Sequence, residues 1–354
     1  MQNKPFQIHT VTVEPGESRI INIPTPGLYA QTPMHLPVHV IHGKEEGPRL
    51  FVCAAIHGDE VLGVEIIRRL IKHSALKNVK GTLVAVPVVN IYGFIAQSRY
   101  MPDRRDLNRS FPGRREGSLT ARLAYIFTNE ILSRCTHGID LHTGAIHLEN
   151  YPQVRANLNL PHVKKLARAF GAPVVVDVAL PIGSLRAAAN KLKVPLIVYE
   201  AGEALRFNEK FADTGVKGVI NVMRQLGMLH SPVKRTLKPK KSSMMAHAAM
   251  WVRAPTSGMM RPFKTLGDEV KKGDPLAIIQ DPFGGEGVIV EAPLNGIIIG
   301  KTFSPLVNTG RALFHLATIS RTNVEKIEAQ QPLEPEESKE GPSLAGDISK
   351  PPDA

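Results

Sequence analysis

Apolar and polar positions follow two alternating periods over residues 1–230. Short, nearly continuous apolar runs are typical of strands buried on both faces, and apolar residues recurring every three or four positions indicate helices. A hairpin is predicted at 6–23, and strands are predicted at 38–42, 50–56, 82–89, 138–141, 173–178 and 195–199. Helices are predicted at 60–73, 118–134, 161–170 and 208–229. This alternation predicts an α/β fold with a three-layer, mostly parallel sheet.

The pattern changes after residue 230. Residues 231–248 are rich in proline, lysine and serine and are predicted to be a linker. Residues 249–320 contain short apolar runs between glycine and proline turns, which predicts a small all-β domain. Residues 321–354 are acidic, rich in proline and serine and poor in apolar side chains, so we expect a disordered tail. The predicted catalytic domain is therefore residues 1–230.

The predicted β domain repeats itself. Residues 254–258 (Ala-Pro-Thr-Ser-Gly) are echoed at 292–296 (Ala-Pro-Leu-Asn-Gly), which predicts two similar halves. This region resembles the biotinyl/lipoyl barrel-sandwich domains, which carry a modified lysine on the turn between their halves. The corresponding turn here, residues 281–287, has no lysine. We therefore predict a lid or an oligomerisation module rather than a swinging-arm carrier, and homo-oligomerisation stays open.

Composition and charge narrow the class of protein. The chain has 354 residues with 43% hydrophobic content, no apolar run of the ~18 residues that span a bilayer, and no signal peptide pattern. Cys53 and Cys135 lie in apolar contexts and are predicted to be free thiols, which favours the cytoplasm. The net charge of +12 is spread along the chain without base-reading motifs, so we predict no nucleic-acid and no membrane partner. We interpret the positive charge as serving the binding of anionic substrates or simply the solubility of the protein.

Reactive side chains follow three of the predicted strands. His57 and Glu60 come after the first, His142 after the second and Glu200 after the third. Carboxyl ends of parallel strands are where open α/β sheets bind ligands. Imidazole and carboxylate groups bind zinc, and three protein ligands leave a position for water, as in catalytic zinc sites. Glu200 would then act as the general base.

A fourth stretch, residues 99–113, supplies arginines that could stabilise an oxyanion or clamp a carboxylate. With this stretch included, the joint pattern resembles the succinylglutamate desuccinylase/aspartoacylase family of the zinc carboxypeptidase superfamily. The motifs are His57-x-x-Glu60, Asp106-Leu107-Asn108-Arg109, His142 and Glu200. The resemblance covers about residues 38–229.

The resemblance implies roles for these residues. One Zn²⁺ per subunit would be held by His57, Glu60 and His142, with Glu200 as the general base. Asn108 and Arg109 would bind a carboxylate of a small-molecule substrate. Arg99 is the predicted carbonyl-polarising arginine, in competition with Arg104 and Arg105.

The predicted function is zinc-dependent hydrolysis of the amide bond of a small N-acyl amino acid or a related compound. A zinc carboxypeptidase acting on short peptides uses the same chemistry and remains an alternative, as does a non-catalytic binding protein that retains the zinc fold. Single motifs also have simpler interpretations. His142 could be a core histidine, Asn108-Arg109 a surface turn, and Glu203 the acid that faces the site instead of Glu200.

Overall fold

The computed structural model describes residues 2–230 and 243–319. In these ranges the chain forms the following strands: β1 Phe6–Ile8, β2 Val11–Val13, β3 Ser18–Thr25, β4 Met34–His42, β5 Arg49–Ala54, β6 Thr82–Val86, β7 His137–Gly144, β8 Leu148–Ala156, β9 Val174–Asp177, β10 Leu196–Glu203, β11 Met244–Arg253, β12 Gly258–Pro262, β13 Glu269–Val270, β14 Pro275–Gln280, β15 Val288–Glu291, β16 Gly296–Thr302, β17 Leu306–Val307 and β18 Ala312–Ile319.

The helices lie between the strands of the first 230 residues. They are α1 Leu62–Ile71, α2 Ile91–Ala96, α3 Leu119–Glu130, α4 Pro161–Phe170, α5 Leu185–Lys191 and α6 Glu209–Gln225. Short 3₁₀ turns occupy Ser74–Asn78, Leu107–Arg109 and Leu132–Arg134. Across the part of the chain that the structure describes, no helix has the length and apolar character that crossing a bilayer requires.

Local capping explains where four of the helices begin. The side chains of Asn90, Ser118, Ser184 and Asn208 each accept a hydrogen bond from the backbone N–H three residues later. Such caps satisfy donors that the first helical turn leaves unpaired. Two of these helices, α2 and α5, were not predicted, because they are too short for the apolar period to show.

One twelve-stranded sheet organises the fold, in the order β13-β16-β18-β11-β9-β8-β10-β7-β5-β6-β4-β3. Its four central strands, β6, β5, β7 and β10, are parallel. Both flanks add antiparallel pairs: β4 pairs with β6 on one side, and β8 pairs with β10 on the other. The sheet is mixed, because β8–β9 and β9–β11 are also parallel whereas the strands at both ends pair antiparallel. The prediction of a mostly parallel sheet therefore holds for part of the sheet.

Helices cover both faces of this sheet. Phe51 and Cys53 of β5 belong to a core packed under α2, α3 and α5. Leu50 and Val52 belong to a second core packed under α1, α4 and α6. Because successive strand residues point to opposite faces, one continuous apolar run supplies both cores. The two cores make the central strands rigid supports for the side chains at their carboxyl ends.

Two strands run further than predicted. β7 extends through His142 to Gly144, and β10 extends through Glu200 to Glu203. The pairing of β10 shifts in register just after Glu200, and Gly202 there has a φ of +78°. The two strands therefore did not end where the apolar runs stopped, because backbone pairing continued past the polar side chains.

The carboxyl-terminal strands continue the same sheet. β11 pairs with β9, and β16 pairs with β8. β11 begins at Met244, so residues 244–248 are strand rather than the predicted linker. The rest of that predicted linker lies almost wholly outside the described residues, as does the predicted tail.

The sequence repeat corresponds to a repeated set of strands. β12, β13 and β14 follow the first copy of the motif, and β16, β17 and β18 follow the second. In the first copy β12 pairs with β14, and in the second β16 pairs with β18. Val252, Leu276, Ile298 and Phe314 meet in a shared apolar core between them.

Candidate metal centre and catalytic site

His57, Glu60 and His142 converge at the carboxyl ends of β5 and β7. All three are buried, and one ligand atom from each lies within 4.8 Å of the others. Glu60 Oε1 is 2.7 Å from Nδ1 of His57, and Glu60 Oε2 is 2.7 Å from Nδ1 of His142. The backbone N–H of Thr143 also donates to Glu60 Oε2, at 3.1 Å. The three predicted ligands therefore form one buried group.

Close backbone packing fixes the loop that carries His57 and Glu60. The N–H of Asn90 donates to the carbonyl of Ala55 at 2.8 Å, which ties this loop to the start of α2. A Cβ placed on Gly58 would lie 2.0 Å from the carbonyl carbon of Gly93 in α2. No side chain fits at that distance, so glycine is required there. Helix α2, which was not predicted, thus shapes the loop that carries His57 and Glu60.

Each of the two imidazoles also meets a second carboxylate. Asp106 Oδ1 is 3.3 Å from Nε2 of His57, and Asp140 Oδ2 is 2.8 Å from Nε2 of His142. Histidines that bind metals almost always donate their other ring N–H to such a group, which fixes the tautomer and the orientation of the ring. Asp140 lies two residues before His142 on β7, and Asp106 is the first residue of the Asp-Leu-Asn-Arg motif.

Charge pairing dominates the titration of this group. Burial opposes the charged imidazole of His142, but Asp140 and Glu60 outweigh it and raise the pKa of His142 well above its ordinary value. Burial likewise opposes ionisation of Glu60, but His57 and His142 hold its pKa below the ordinary range. The pKa of His57 is raised, with burial opposing and Glu60 favouring the charged form. The contacts with Glu60 therefore raise the pKa of both imidazoles and lower the pKa of the carboxylate between them.

Arg99 lies beside the buried group. Its Nη2 is 3.0 Å from Asp106 Oδ2, and its Nη1 is 3.5 Å from Glu60 Oε1. The competing candidates Arg104 and Arg105 are exposed. Although burial opposes its charge, Glu60 and Asp106 raise the pKa of Arg99. The guanidinium is therefore a fixed cation next to the candidate metal centre.

Glu200 lies on β10 in register with His142 on the neighbouring strand β7. Its carboxylate accepts a hydrogen bond from Asn150 Nδ2 at 2.8 Å and pairs with Arg155 Nη1 at 3.3 Å. The Glu200 side chain is 12% exposed. Glu203, the competing acid, accepts from the N–H of His147 and pairs with Arg206 instead. Of the two acids, Glu200 is the one beside a residue of the buried group.

Asn150 and Arg155 were not predicted as site residues, and no strand was predicted for β8, which carries both of them. Pro152 interrupts it, and a proline lacks the N–H that a central strand donates. The pairing of β8 with β10 skips the positions around this proline. The remaining signal in the sequence was short, because within β8 only Val154 and Ala156 alternate as apolar residues with a polar one, Arg155.

The predicted carboxylate-binding pair lies next to α5. Asn108 Oδ1 accepts the backbone N–H of Leu185 at 2.9 Å, which leaves its Nδ2 group as the available donor. Arg109 is exposed. The following helical residue, Arg186, has a buried Nη1 atom without a hydrogen-bond partner among the described residues. Burial, reinforced by Arg155, lowers the pKa of Arg186 to about 10. No sequence motif had pointed to this arginine.

Fold and site together define an α/β protein with a buried His-Glu-His group and a neighbouring carboxylate on the parallel part of its sheet. Comparison with known proteins gives the family. The profile of the succinylglutamate desuccinylase/aspartoacylase catalytic domain matches residues 46–226, so the chain belongs to this family.

Individual relatives agree with this assignment. The N-alpha-acetyl-L-2,4-diaminobutyric acid deacetylase of Halomonas elongata is 26% identical over 295 residues, which cover 80% of this chain and 86% of that protein. The product-bound ectoine utilization protein EutE (DoeB) of Ruegeria pomeroyi matches with a TM-score of 0.75 and 25% identity, covering 89% of this chain and 98% of the other. A succinylglutamatedesuccinylase/aspartoacylase of Rhodobacter sphaeroides shares the fold, with a TM-score of 0.77 and 22% identity over 88% of this chain and 98% of its own. The family is one of deacylases that act on N-acyl amino acids.

Proposed function

We propose that this chain is a zinc-dependent deacylase that cleaves the amide bond of a small N-acyl amino acid or a closely related compound. The observation that carries the proposal is the buried group of His57, Glu60 and His142, whose ligand atoms lie within 4.8 Å of one another. Zinc binds such atoms at about 2.0–2.2 Å, so donors this close can share one ion.

The donor set suits one zinc ion per subunit. Two imidazole nitrogens and a carboxylate provide three ligands and leave a position for water, as catalytic zinc sites do. The carboxylates of Asp106 and Asp140 on the far ring nitrogens support this assignment. Zinc bound at such a site lowers the pKa of a water molecule and polarises a carbonyl group.

Glu200 is the proposed general base. It accepts the proton of the attacking water on a carboxylate oxygen and passes that proton to the nitrogen of the leaving amine. Its place on β10 beside His142 supports this role. Asn150 and Arg155 contact both of its oxygens, so the carboxylate has a defined orientation before substrate binds.

Three arginines and one asparagine are proposed to stabilise the oxyanion and to bind a substrate carboxylate. Arg99, within 3.5 Å of Glu60, is the proposed donor to the developing negative charge on the carbonyl oxygen. The Nδ2 group of Asn108 and the guanidinium of Arg109 are the proposed partners of a substrate carboxylate. Arg186 joins them in this proposal, because its buried Nη1 has no hydrogen-bond partner among the described residues and an anionic substrate could supply one.

The substrate class follows from the relatives. Similarity to the deacetylase from Halomonas elongata supports an N-acyl amino acid as the substrate rather than a peptide. The proposed catalytic residues could act on either. We also propose that residues 1–230 carry the chemistry, and that the protein works in the cytoplasm. The buried free thiols of Cys53 and Cys135 are consistent with a reducing compartment.

A hydrolysis screen tests the proposal. Zinc-loaded protein would be offered N-acetyl, N-succinyl and N-formyl amino acids, including N-acetyl-2,4-diaminobutyrate, alongside a panel of dipeptides. We expect release of free amine from at least one acylated amino acid, and loss of that activity in chelator-treated protein. Hydrolysis confined to the dipeptides would replace the proposal with the carboxypeptidase alternative, and no hydrolysis at all would contradict both.

A further inference from the structure

Two donors from a single strand hold the Glu200 carboxylate. Asn150 Nδ2 lies 2.8 Å from Oε2, and Arg155 Nη1 lies 3.3 Å from Oε1. Both donors belong to β8, which lies antiparallel beside β10. A carboxylate fixed at both oxygens cannot rotate freely about its terminal bond, so the lone pair that faces a water molecule is set in advance. Strand β8 therefore controls the direction in which Glu200 accepts a proton.

The carboxyl-terminal strands reach this pair of donors. Gly300 of β16 is the cross-strand partner of Asn150 on β8 and of His315 on β18. A Cβ placed on Gly300 would lie 3.2 Å from Asn150 Oδ1 and 3.0 Å from the Cβ of His315. The glycine thus lets two strands and the Asn150 amide approach closely, and the amide rests against the backbone of β16.

Trp251 and His315 also lie close to Gly300. Trp251 of β11 stacks on His315 with ring centroids 4.5 Å apart and an interplanar angle of 7°. Burial, with Arg155 adding to it, lowers the pKa of His315 to about 3, so the ring is neutral near neutral pH. Arg155 thus has a carboxylate as its partner on β10 and a neutral imidazole nearby on β18.

We propose that Asn150 and Arg155 are positioning residues for Glu200, and that the carboxyl-terminal strands hold Asn150 in place through Gly300. The inference rests on the proposed role of Glu200 as the base. It makes the β-rich region part of the catalytic apparatus, in addition to any role as a lid. The two positioning residues act through Glu200 and do not themselves touch the reacting atoms.

Replacing Asn150 separates positioning from packing. Asn150→Leu keeps nearly the same shape without the donor, and Asn150→Ala removes both. We expect both variants to lose on the order of 10²-fold in kcat, because a base misplaced by about 1 Å costs that much. KM, zinc content and Tm should stay close to wild type. A residue that only filled space would be rescued by leucine, and full activity of Asn150→Leu would overturn the inference.

Arg155 provides the second arm of the test. Arg155→Lys keeps the positive charge, whereas Arg155→Met keeps only the length of the side chain. We expect Lys to retain a substantial part of kcat and Met to lose it, with KM unchanged in both. Equal kcat for Lys and Met would contradict an ion pair that orients Glu200.

Gly300→Ala tests the contribution of the carboxyl-terminal strands without replacing the base or either of its donors. Its matched control is Ile299→Val, which removes one methyl group from the core on the neighbouring position of the same strand. We expect only Gly300→Ala to lower kcat. A crystal structure of the variant should show the Asn150 amide displaced and the Glu200 carboxylate turned.

The crystal structures also distinguish this inference from the proposed function. Suppose that Glu200→Gln is inactive but Gly300→Ala keeps a normal kcat and an undisplaced Asn150. That result would refute the inference and leave the proposed function standing. Absence of hydrolysis by the wild type across the acylated substrates would remove the proposed function and the inference with it.

Discussion

The two sides of the candidate site are built differently. On the metal side, both nitrogens of His57 and of His142 lie against carboxylates, and both oxygens of Glu60 are engaged. On the base side, Arg186 Nη1 and both nitrogens of His315 are buried without a hydrogen-bond partner in the described part of the chain. Buried polar groups are normally paired with protein, water or ligand.

We propose that a polar substrate binds on the base side. The metal side is a closed network of protein groups, so its geometry is preorganised by the chain itself. The base side has donors and acceptors to spare, which is expected where a polar substrate and its water will complete the network. Changes on the metal side should therefore act on metal content, and changes on the base side should act on turnover.

The largest effect is expected for Glu60→Gln. This change removes the carboxylate that contacts both His57 and His142, which is also one of the three proposed ligands. We expect purified protein to fall from about one zinc per chain to almost none and to lose activity to the level of the chelator-treated enzyme. Elemental analysis of the dialysed protein measures the zinc content per chain.

Glu65→Gln is the control for that change. Glu65 lies on α1 and pairs with Arg68 and Arg69 away from the site. This variant should keep its zinc. Retention of zinc by Glu60→Gln at wild-type affinity would contradict the proposed ligand set.

Glu200→Gln should separate the two sides most clearly. Loss of a general base typically costs 10²–10⁴-fold in rate, so we expect kcat to fall in that range while zinc content stays at the wild-type level. Glu203→Gln, on the same strand, should have little effect on kcat because its carboxylate serves His147 and Arg206. The reverse result would exchange the roles of these two acids.

The same comparison explains what could be predicted from the sequence. His57 and Glu60 are three positions apart on one loop, so their convergence is a local property of a strand followed by a helix. His142 and Glu200 followed from parallel strands whose carboxyl ends meet. Resemblance to a family then supplied roles that composition and spacing could not.

The partners of Glu200 could not be predicted in this way. Asn150 and Arg155 depend on an antiparallel strand that carries Pro152, and Arg186 depends on a helix of seven residues. Gly300 contacts the site through strand pairing between positions 150 residues apart. Such non-local pairings leave no period in the sequence. They are decided by which edges of the sheet remain available when the chain folds.

A smaller effect is expected for Asp140→Asn. Removing a carboxylate that orients a ligating histidine typically weakens metal binding 10–100-fold. Competition with a chromogenic zinc chelator would measure the dissociation constant. Asp177→Asn, whose carboxylate accepts the N–H of Leu158 at the end of β9, is the control and should bind zinc normally. An unchanged constant for Asp140→Asn would show that the Asp140–His142 contact does not orient the ligand.

The smallest effect concerns pH and the zinc-free protein. The pKa of His142 is raised on folding, so the stability it contributes is complete below its unfolded pKa near 6.5 and is lost as the pH rises through the folded value. The pKa of Glu60 is lowered, so its contribution is constant above about pH 5. We therefore expect the free energy of unfolding to fall between pH 6 and pH 8.

Urea unfolding of chelator-treated protein at these two pH values measures the change. The variant His142→Asn should show a shallower dependence on pH, because it lacks the group that releases its proton. A steeper or unchanged dependence in that variant would mean that another residue is responsible.

The proposed zinc site can be located by anomalous diffraction at the zinc edge, on crystals of the zinc-loaded protein. We expect a single peak per chain within bonding distance of Nδ1 of His57, the carboxylate of Glu60 and Nδ1 of His142, with Glu200 nearby but not bound to the metal. A peak bound elsewhere, or no peak at these three side chains in fully loaded protein, would contradict it.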